Sequence, residues 1–351
     1  MKKRNGKLSG RHYQTLTILA IAFSISGIVY FNFNNKSDYI GSQVQGTLPL
    51  AQAVQNNNSQ LVTDHSPLGG YNVLIADRGN NRLIEVTPAG QIVWEYRFKV
   101  SRPGLGADDA FFVNGGSQVL VSLEDSQFVE LIDYQTKKVL WSYGVPGKAG
   151  SKSGLLNTPD DAYSLPNGDI IVADIKNCRV LEIAPDKHIV RQYGHAEQCS
   201  NRDGYLNKPN GDTPLANGGM LISNITGHTL IELNSQWQKV FSMTLPIHYP
   251  SDPQMMRSGN ILLSDVMNPG KIIELSPQGT IVWQYTKGLD RPSIAVELPN
   301  GNILAADDQN QRVVVIDRHT NKIVWQYGTT GVIGSGSNQL FRPDGVDFIK
   351  H

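Results

Sequence analysis

The stretch Asp169-Ile-Ile-Val-Ala-Asp-Ile-Lys-Asn-Cys-Arg179 is one copy of a line that the chain repeats. Asn72-Val-Leu-Ile-Ala-Asp-Arg-Gly-Asn-Asn-Arg82 and Asn302-Ile-Leu-Ala-Ala-Asp-Asp-Gln-Asn-Gln-Arg312 are further copies. A second repeated line, such as Gly279-Thr-Ile-Val-Trp-Gln-Tyr285, follows at a fixed interval and carries an aromatic marker. The six marker positions, 42 to 50 residues apart, are Trp94, Trp141, Arg191, Phe241, Trp283 and Trp325.

One unit, 159–194, shows what each repeat forms. Its apolar runs 162–165, 170–173, 180–183 and 189–193 are short, rich in β-branched and aromatic residues, and bounded by turn sequences such as Pro166-Asn-Gly168. Runs of this kind indicate β-strands, and Asn-Gly favours a tight hairpin. A period of 40–50 residues with four strands per unit is typical of propeller blades. We therefore predict an all-β, six-bladed β-propeller with four antiparallel strands in each blade.

The two ends of the repeat array predict how the ring closes. The first unit, which begins near residue 69, lacks a recognisable first strand. Phe341-Arg-Pro-Asp-Gly-Val-Asp-Phe-Ile349 resembles the first-strand line Thr158-Pro-Asp-Asp-Ala162. We expect this C-terminal segment to be the innermost strand of blade one, because closure removes exposed sheet edges.

The N-terminal part predicts that the propeller, 66–351, is attached to a membrane. Residues 1–14 are basic and precede 15–33, a run of 19 uncharged residues. That length is close to the ~20 residues that span a bilayer, and the basic flank places 1–14 in the cytoplasm. We expect an uncleaved signal-anchor followed by a flexible linker, 34–65, with the propeller on the periplasmic or extracellular side. The alternative is cleavage after Ser26, at a small-x-small site, which would give a secreted protein.

Charge and cysteine content agree with that compartment. The chain has 31 basic and 31 acidic residues and no basic stripe, which argues against a nucleic-acid partner. Cys178 and Cys199 fall on the same rim of blade three in the predicted fold, so a disulfide is geometrically reasonable and would persist in an oxidising compartment. The alternative is two unpaired thiols.

Two recurrent polar motifs are interpreted as structural. Asp-x-x-Asn-x-Arg recurs in three blades, and its side chains can bond to the backbone and to each other, which favours turn building over catalysis. Asp-x-x-Thr-x-Lys-x-x-Trp recurs in two blades and is predicted to tie the third strand to the fourth and to lodge the indole against the neighbouring blade. The motif residues are Asp77/Asn80/Arg82, Asp174/Asn177/Arg179, Asp307/Asn310/Arg312, Asp133/Thr136/Lys138/Trp141 and Asp317/Thr320/Lys322/Trp325.

These motifs resemble those of known propeller families. The tryptophan spacing resembles the repeats of pyrroloquinoline-quinone (PQQ) propellers, and the Asp-x-x-Asn-x-Arg lines resemble NHL repeats. Lines such as Gly279-Thr-Ile-Val-Trp283 are similar to lines in bacterial arylsulfotransferase propellers. The resemblance covers roughly 69–350 and implies the fold. Quinoprotein dehydrogenases have more than six blades, so we do not expect PQQ to bind.

The entrances of the first strands form the first candidate site. They occupy equivalent steps of the repeat and should surround the central channel, where carboxylate and amide oxygens suit Ca²⁺ or Mg²⁺. Six-bladed lactonases hold calcium in such a channel, and we place a candidate calcium ion at Asp108, Asp160 and Asp344. The alternative is a set of polar residues that begin strands and bind channel water. The candidate ligand- or ion-binding residues are Asp108, Asp109, Asp160, Asp161, Asn210, Asp252 and Asp344.

Histidines form the second candidate site. Arylsulfotransferases of this type use a channel histidine as the transient sulfate carrier, so the resemblance implies a catalytic candidate among His195, His228 and His248. The alternative is that all three are ordinary loop residues, since none lies in a motif of its own.

Two classes of function follow from the sequence. The first is a binding or scaffold module whose rim docks a protein, a peptide or a glycan, with the membrane as its other partner. The second is a channel-mouth enzyme, either a metal-dependent, lactonase-like hydrolase or an arylsulfotransferase-like transferase. The sequence favours the binding module, because the motifs are spread evenly over the blades and no catalytic constellation stands out.

Overall fold

The computed structural model describes residues 66–100 and 106–351. Within them, 24 strands form six four-stranded antiparallel sheets, which confirms the predicted six-bladed propeller. The segments 1–14 and 15–33 and the linker 34–65 lie outside the described residues, and so does the predicted membrane helix. Across the part of the chain that is described, no helix is long and apolar enough to cross a membrane.

The strands follow the repeat in chain order. Blade one contains β1 Asn72–Asp77, β2 Arg82–Val86, β3 Ile92–Arg97 and the last strand, β24 Pro343–Ile349; blade two contains β4 Ala110–Val113, β5 Gln118–Leu123, β6 Phe128–Asp133 and β7 Val139–Gly144; blade three contains β8 Pro159–Ser164, β9 Ile170–Asp174, β10 Arg179–Ile183 and β11 Ile189–Gly194. Blade four contains β12 Pro209–Pro214, β13 Met220–Asn224, β14 Thr229–Leu233 and β15 Lys239–Thr244; blade five contains β16 Pro250–Met255, β17 Ile261–Asp265, β18 Gly270–Leu275 and β19 Ile281–Leu289; blade six contains β20 Pro292–Glu297, β21 Ile303–Asp307, β22 Arg312–Asp317 and β23 Lys322–Tyr327.

Burial follows the position of each strand in its blade. Every residue of β9 and of β10 is buried, because blades stack on both faces of these strands. The outermost strand, β11, has no fully buried residue, since one of its edges meets solvent. Apolar side chains of neighbouring blades interlock between the sheets, as Leu74 of blade one and Val119 of blade two do. Burial of this apolar area is the main driving force for the ring.

Ring closure takes place as predicted. Strand β24 pairs with β1, so that Val73 lies opposite Phe348 and Ile75 lies opposite Val346. The same strand also contacts blade two, where Oδ2 of Asp347 accepts a hydrogen bond of 2.8 Å from the backbone nitrogen of Phe112. The C-terminal strand therefore joins the last blade to the first two.

The Asp-x-x-Asn-x-Arg motif builds turns, as expected. In blade one, Oδ2 of Asp77 accepts hydrogen bonds from Asn80 Nδ2 at 2.8 Å and from Arg82 Nε at 2.7 Å. Oδ1 of the same carboxylate accepts a bond of 2.8 Å from the nitrogen of Phe341. Blades three and six repeat the Asn and Arg bonds. The motif thereby fixes the turn between the second and third strands.

The marker positions connect neighbouring blades. The indole nitrogens of Trp94, Trp141, Trp283 and Trp325 each donate to a backbone carbonyl of the next blade, at 2.7 to 3.2 Å. In blade three, Arg191 takes the place of the indole, and its Nη1 donates to the carbonyl of Ser235 at 2.9 Å. The sixth marker, Phe241, has no side-chain donor.

The predicted disulfide is confirmed. Cys178 ends the turn between β9 and β10 with a positive φ of 53°, and Cys199 lies in the loop that follows β11. The two residues are bonded, with their Cα atoms 5.2 Å apart.

Candidate functional site at the mouth of the central channel

The first strands begin at one rim of the channel, and in most blades an irregular register marks the start. In blade three, Pro159 pairs with Asp174 and Ala162 pairs with Val172, so Asp160 and Asp161 together oppose one residue. This is a β-bulge, which re-aims side chains near functional sites. It also explains why β8 begins three residues before the predicted run 162–165. Five of the six first strands, those of blades one, three, four, five and six, begin at a proline.

A polar cavity of about 220 Å³ opens at this rim. Six of the seven predicted residues line this cavity: Asp108, Asp109, Asp160, Asn210, Asp252 and Asp344. The seventh, Asp161, lies beside Asp109 and Asp252 but is not part of the lining. The remaining lining residues, which the sequence analysis did not single out as a site, are Arg78, Glu124, Tyr249, Ser251, Val266, Arg291, Ser293, Asp308 and Arg342.

Arg78 forms ion pairs with the outer ring of carboxylates, but its single charge does not balance them, and burial still raises the pKa values of Asp108, Glu124 and Asp160. Its Nη1 donates to Asp108 and, at 2.7 Å, to Asp344. Its Nη2 donates to Glu124 at 2.5 Å and to Asp125 at 2.7 Å. Burial opposes ionisation of Asp344, but the charge of Arg78 and hydrogen bonds from Asp108, Arg78 and Ser293 together outweigh it and hold the pKa of this carboxyl below its usual range. The arginine thus already supplies a positive charge to two of the three residues predicted to hold calcium.

A second ring of carboxylates lies deeper and forms no ion pair with the described residues. One oxygen from each of Asp109, Asp161 and Asp252 lies within 4.8 Å of the others. Asp161 is fully buried, and neither of its oxygens has a hydrogen bond of good geometry. Burial and the neighbouring carboxylates raise the pKa of Asp109 and of Asp252 well above the usual range, and burial raises that of Asp161 to about 6. Asp212 is also fully buried with both oxygens unbonded, and the charge of Asp161 acts on it.

Side chains fill the channel below the second ring. The rings of Phe111 and Tyr163 stack with their centroids 4.6 Å apart, and Gln254 Nε2 donates to the Tyr163 hydroxyl at 3.0 Å. None of these three side chains is more than 2 % exposed. A ligand that reaches the second ring therefore enters through the cavity.

The candidate histidines lie apart from the cavity lining that the described residues form. The ring of His195 contacts Tyr205, with centroids 4.2 Å apart. The rings of His228 and His248 are 6.1 Å apart, on neighbouring blades. One histidine would suffice for the sulfate-carrier role, which stays a prediction.

Comparisons with known proteins identify the fold class only. No protein-family model matches the sequence, and no curated protein matches it. A Bacteroides caccae protein of unknown function is similar over 80% of this chain and 100% of its own, with 17% identity and a TM-score of 0.59. Virginiamycin B lyase from Staphylococcus aureus is similar over 81% of this chain and 92% of its own, with 15% identity and a TM-score of 0.53. A chain of the nidogen/laminin complex is similar over 80% of this chain and 99% of its own, with 12% identity and a TM-score of 0.57.

These neighbours share the β-propeller fold with this chain. Identities this low carry the fold and no activity. The resemblance to arylsulfotransferase propellers stays a prediction.

Proposed function

We propose that this chain is a membrane-tethered, extracytoplasmic binding module that holds a divalent cation in its central channel and binds its ligand in the cavity above. The segment 15–33 would be the anchor, and the Cys178–Cys199 disulfide agrees with an oxidising compartment. The cation site rests on the second ring of carboxylates, and the ligand site rests on the polar cavity.

The observation that carries the cation site is the convergence of Asp109, Asp161 and Asp252 within 4.8 Å. Opposite ligands of a calcium ion lie about 4.6–5.2 Å apart, since each bond is about 2.3–2.6 Å. Buried carboxylates without a counter-charge repel one another, and a bound cation relieves that repulsion. The unbonded, fully buried carboxylate of Asp212 adds a further acceptor beside them.

The proposed ion position differs from the trio expected from the sequence. Asp108 and Asp344 already share the guanidinium of Arg78, so the outer ring has its own positive charge. Asp160 belongs to the outer ring and adds to the negative field that acts on Asp109 and on Asp252. We therefore place the cation one step deeper, at Asp109, Asp161 and Asp252.

Thermal unfolding with and without calcium tests this site. Calcium at about ten times its dissociation constant should stabilise the fold by about 1.4 kcal/mol. The double variant Asp161→Asn/Asp252→Asn should lose that rise, and it should still fold, because the change removes like-charge repulsion. Asp186→Asn, at a surface carboxylate that is 74% exposed, is the matched control. A wild-type protein whose melting temperature responds to neither calcium nor magnesium would rule out the cation site.

The proposed membrane topology has its own test. Protease added to spheroplasts should digest the propeller and leave a short cytoplasmic stub that contains 1–14. Thiol labelling of denatured, unreduced protein isolated from cells should modify neither Cys178 nor Cys199. Protection of the propeller from protease would contradict the proposed topology.

A hydrolase at the channel mouth is the second candidate. It is favoured by Asp109 and Asp252, which line the cavity and whose pKa values burial raises, because a neutral carboxyl can donate a proton to a leaving group. Cleavage of a chromogenic ester in EDTA, with the cation site empty, that disappears in Asp252→Asn would support it. Equal rates in the variant and the wild type would remove it.

A larger partner at the rim is the broader form of the binding proposal. The similar propeller in the nidogen/laminin complex was solved as part of a protein complex, which supports a protein, peptide or glycan partner for this chain only by analogy. Cross-linking in intact cells, with a chain that lacks the propeller as control, tests for such a partner.

A further inference from the structure

The residue before the first strand carries a large polar side chain in three consecutive blades. Tyr249 precedes Pro250 in blade five, Arg291 precedes Pro292 in blade six, and Arg342 precedes Pro343 in blade one. All three line the cavity at the channel mouth. In blades three and four the equivalent residues are Thr158 and Lys208, which are not among the lining residues. The cavity wall therefore has a basic and aromatic arc that covers three blades.

The two guanidinium groups of this arc are held in place by an ion pair, but their N–H groups are free to donate hydrogen bonds to a ligand. Arg291 Nε lies 3.8 Å from Asp308, and Arg342 Nε lies 3.7 Å from the other oxygen of the same carboxylate. These distances are ion pairs and too long for hydrogen bonds. Within the described residues, neither guanidinium donates a hydrogen bond to the protein, and the buried Nε of Arg342 has no hydrogen-bond partner. About 40% of each side chain is exposed.

The backbone fixes where these side chains begin. Arg291 and Arg342 have positive φ values of 54° and 50°, a conformation that costs energy for residues other than glycine. Backbone hydrogen bonds hold it: the nitrogen of Arg291 donates to the carbonyl of Met267 at 2.9 Å, and that of Arg342 donates to Gln311 Oε1 at 2.7 Å. The arc thus presents its charges on rigid supports, which lowers the entropic cost of binding.

Tyr249 extends the arc with a donor of a different kind. Burial raises the pKa of its phenol above the usual range, so the hydroxyl keeps its proton and can donate a hydrogen bond. The guanidinium carbon of Arg291 lies 5.8 Å from the centre of the Tyr249 ring, which fits a cation–π contact.

Charge is distributed unevenly around the cavity. Blades two and three contribute four of the seven lining carboxylates, Asp108, Asp109, Glu124 and Asp160. The arc's three blades contribute the other three, Asp252, Asp308 and Asp344, together with the two arginines; Asp344 is paired with Arg78, and Asp308 lies between Arg291 and Arg342. A guanidinium fork matches the planar or tetrahedral oxygen edges of carboxylate, sulfate and phosphate groups. We propose that Arg291 and Arg342, assisted by Tyr249, form an oxyanion-binding site that anchors a small anionic ligand in the cavity.

The size of the cavity limits the ligand. A volume of about 220 Å³ is below the range of about 300–1,000 Å³ that drug-sized ligands occupy. The ligand is therefore a small molecule or a terminal group with one oxyanion end toward the arc and polar atoms toward the carboxylates. This inference deepens the proposed function and rests on it only in using the same cavity, because the arginines are not part of the cation site.

The test uses inorganic phosphate, sulfate and acetate as separate probes, with the full propeller freed of divalent cations by EDTA. The arginine Nε–Hε signals in ¹H–¹⁵N spectra report binding at the side chains. We expect saturable shifts of the Arg291 and Arg342 signals with at least one probe, and the preferred probe identifies the oxyanion. The backbone amide signals of 291 and 342, which every variant retains, give the affinities. In Arg291→Gln/Arg342→Gln the affinity should fall about tenfold or more, since a charge-assisted hydrogen bond is worth about that factor.

Two further variants distinguish the bidentate geometry of the guanidinium groups from their charge. Arg291→Lys/Arg342→Lys keeps both charges but loses the bidentate geometry, so its affinity should lie between the wild type and the glutamine variant. Arg97→Gln, which removes an exposed arginine outside the cavity, should bind as the wild type does. An absence of shifts in the wild type, or equal affinities in the wild type and the glutamine variant, would overturn the proposal. Calcium binding by the second ring would survive either result, so failure of the two proposals is distinguishable.

Discussion

Replacing Phe241 by tryptophan should stabilise the propeller, because this marker alone lacks a donor. In the other five blades, an indole or the guanidinium of Arg191 donates to a carbonyl in the third-to-fourth-strand turn of the next blade. The repeat places the corresponding acceptor for position 241 at the carbonyl of Pro277. One added hydrogen bond contributes about 0.5–1.5 kcal/mol, so we expect a gain of about 1 kcal/mol. For a domain of this size, that gain raises the melting temperature by about 2 °C.

Calorimetry or urea unfolding of three variants tests the reasoning. Trp94→Phe is the reverse change: it removes the bond of 2.7 Å to the carbonyl of Tyr134 and should cost about 1 kcal/mol or more. Val240→Trp adds an indole at a neighbouring side chain that is 56% exposed, and it should change stability little. If Phe241→Trp gives no increase while Trp94→Phe destabilises, the interface between blades four and five is not equivalent to the others, and the repeat-based argument fails.

Three further predictions concern closure, pH and the outer ring. Deletion of 341–351 should lower the free energy of unfolding by several kcal/mol, because it removes the buried side chains of Val346 and Phe348, each of which contributes about 1.5–3 kcal/mol. Urea unfolding should show this loss relative to a control that lacks only 350–351. Burial raises the pKa of Asp347 from 3.8 to about 7, so its contribution to the free energy of unfolding is present below about pH 4 and is lost as the pH rises through about 7. In Asp347→Asn the melting temperature should therefore decline less steeply across this window, and an unchanged slope would contradict the assignment. Arg78→Gln leaves Asp108, Glu124 and Asp344 without their cation, so equilibrium dialysis should detect one more calcium ion per chain than in the wild type, and an unchanged stoichiometry would show that the outer ring does not hold calcium.

The repeat made the fold predictable from the sequence. Each unit states the same strand pattern independently, so an error in one blade is corrected by the others, and the missing first strand of blade one indicated the role of 343–349. Strand starts were less accurate, as at Pro159, because a bulge breaks the alternation of buried and exposed residues on which the reading depends. The membrane segment is untested, since it lies outside the described residues.

The candidate site was predictable only where its residues share a step of the repeat. Aligned first strands identified Asp108, Asp160 and Asp344 because closure must bring equivalent positions together. Arg78 was missed because it comes from a different turn, and its equivalents in the other copies of that turn are Ile175 and Asp308. Arg78 could have been identified because it differs from the residues at the same position in the other copies. A search for recurring motifs ignores such differences.

Departures from the repeat decide what the channel mouth can bind. Six identical entrances would place six like charges around one axis, an arrangement that repulsion disfavours. This chain instead puts four of the seven lining carboxylates on blades two and three, arginines beside the carboxylates of blades six and one, and a further arginine, Arg78, within the outer ring of carboxylates. The recurring residues therefore build turns and blade contacts, as Asp77 and Trp94 do, whereas the residues that occur once set the charge of the cavity. Because the fold fixes only positions, a propeller of the same architecture with other residues at 78, 291 and 342 should bind a ligand of different charge.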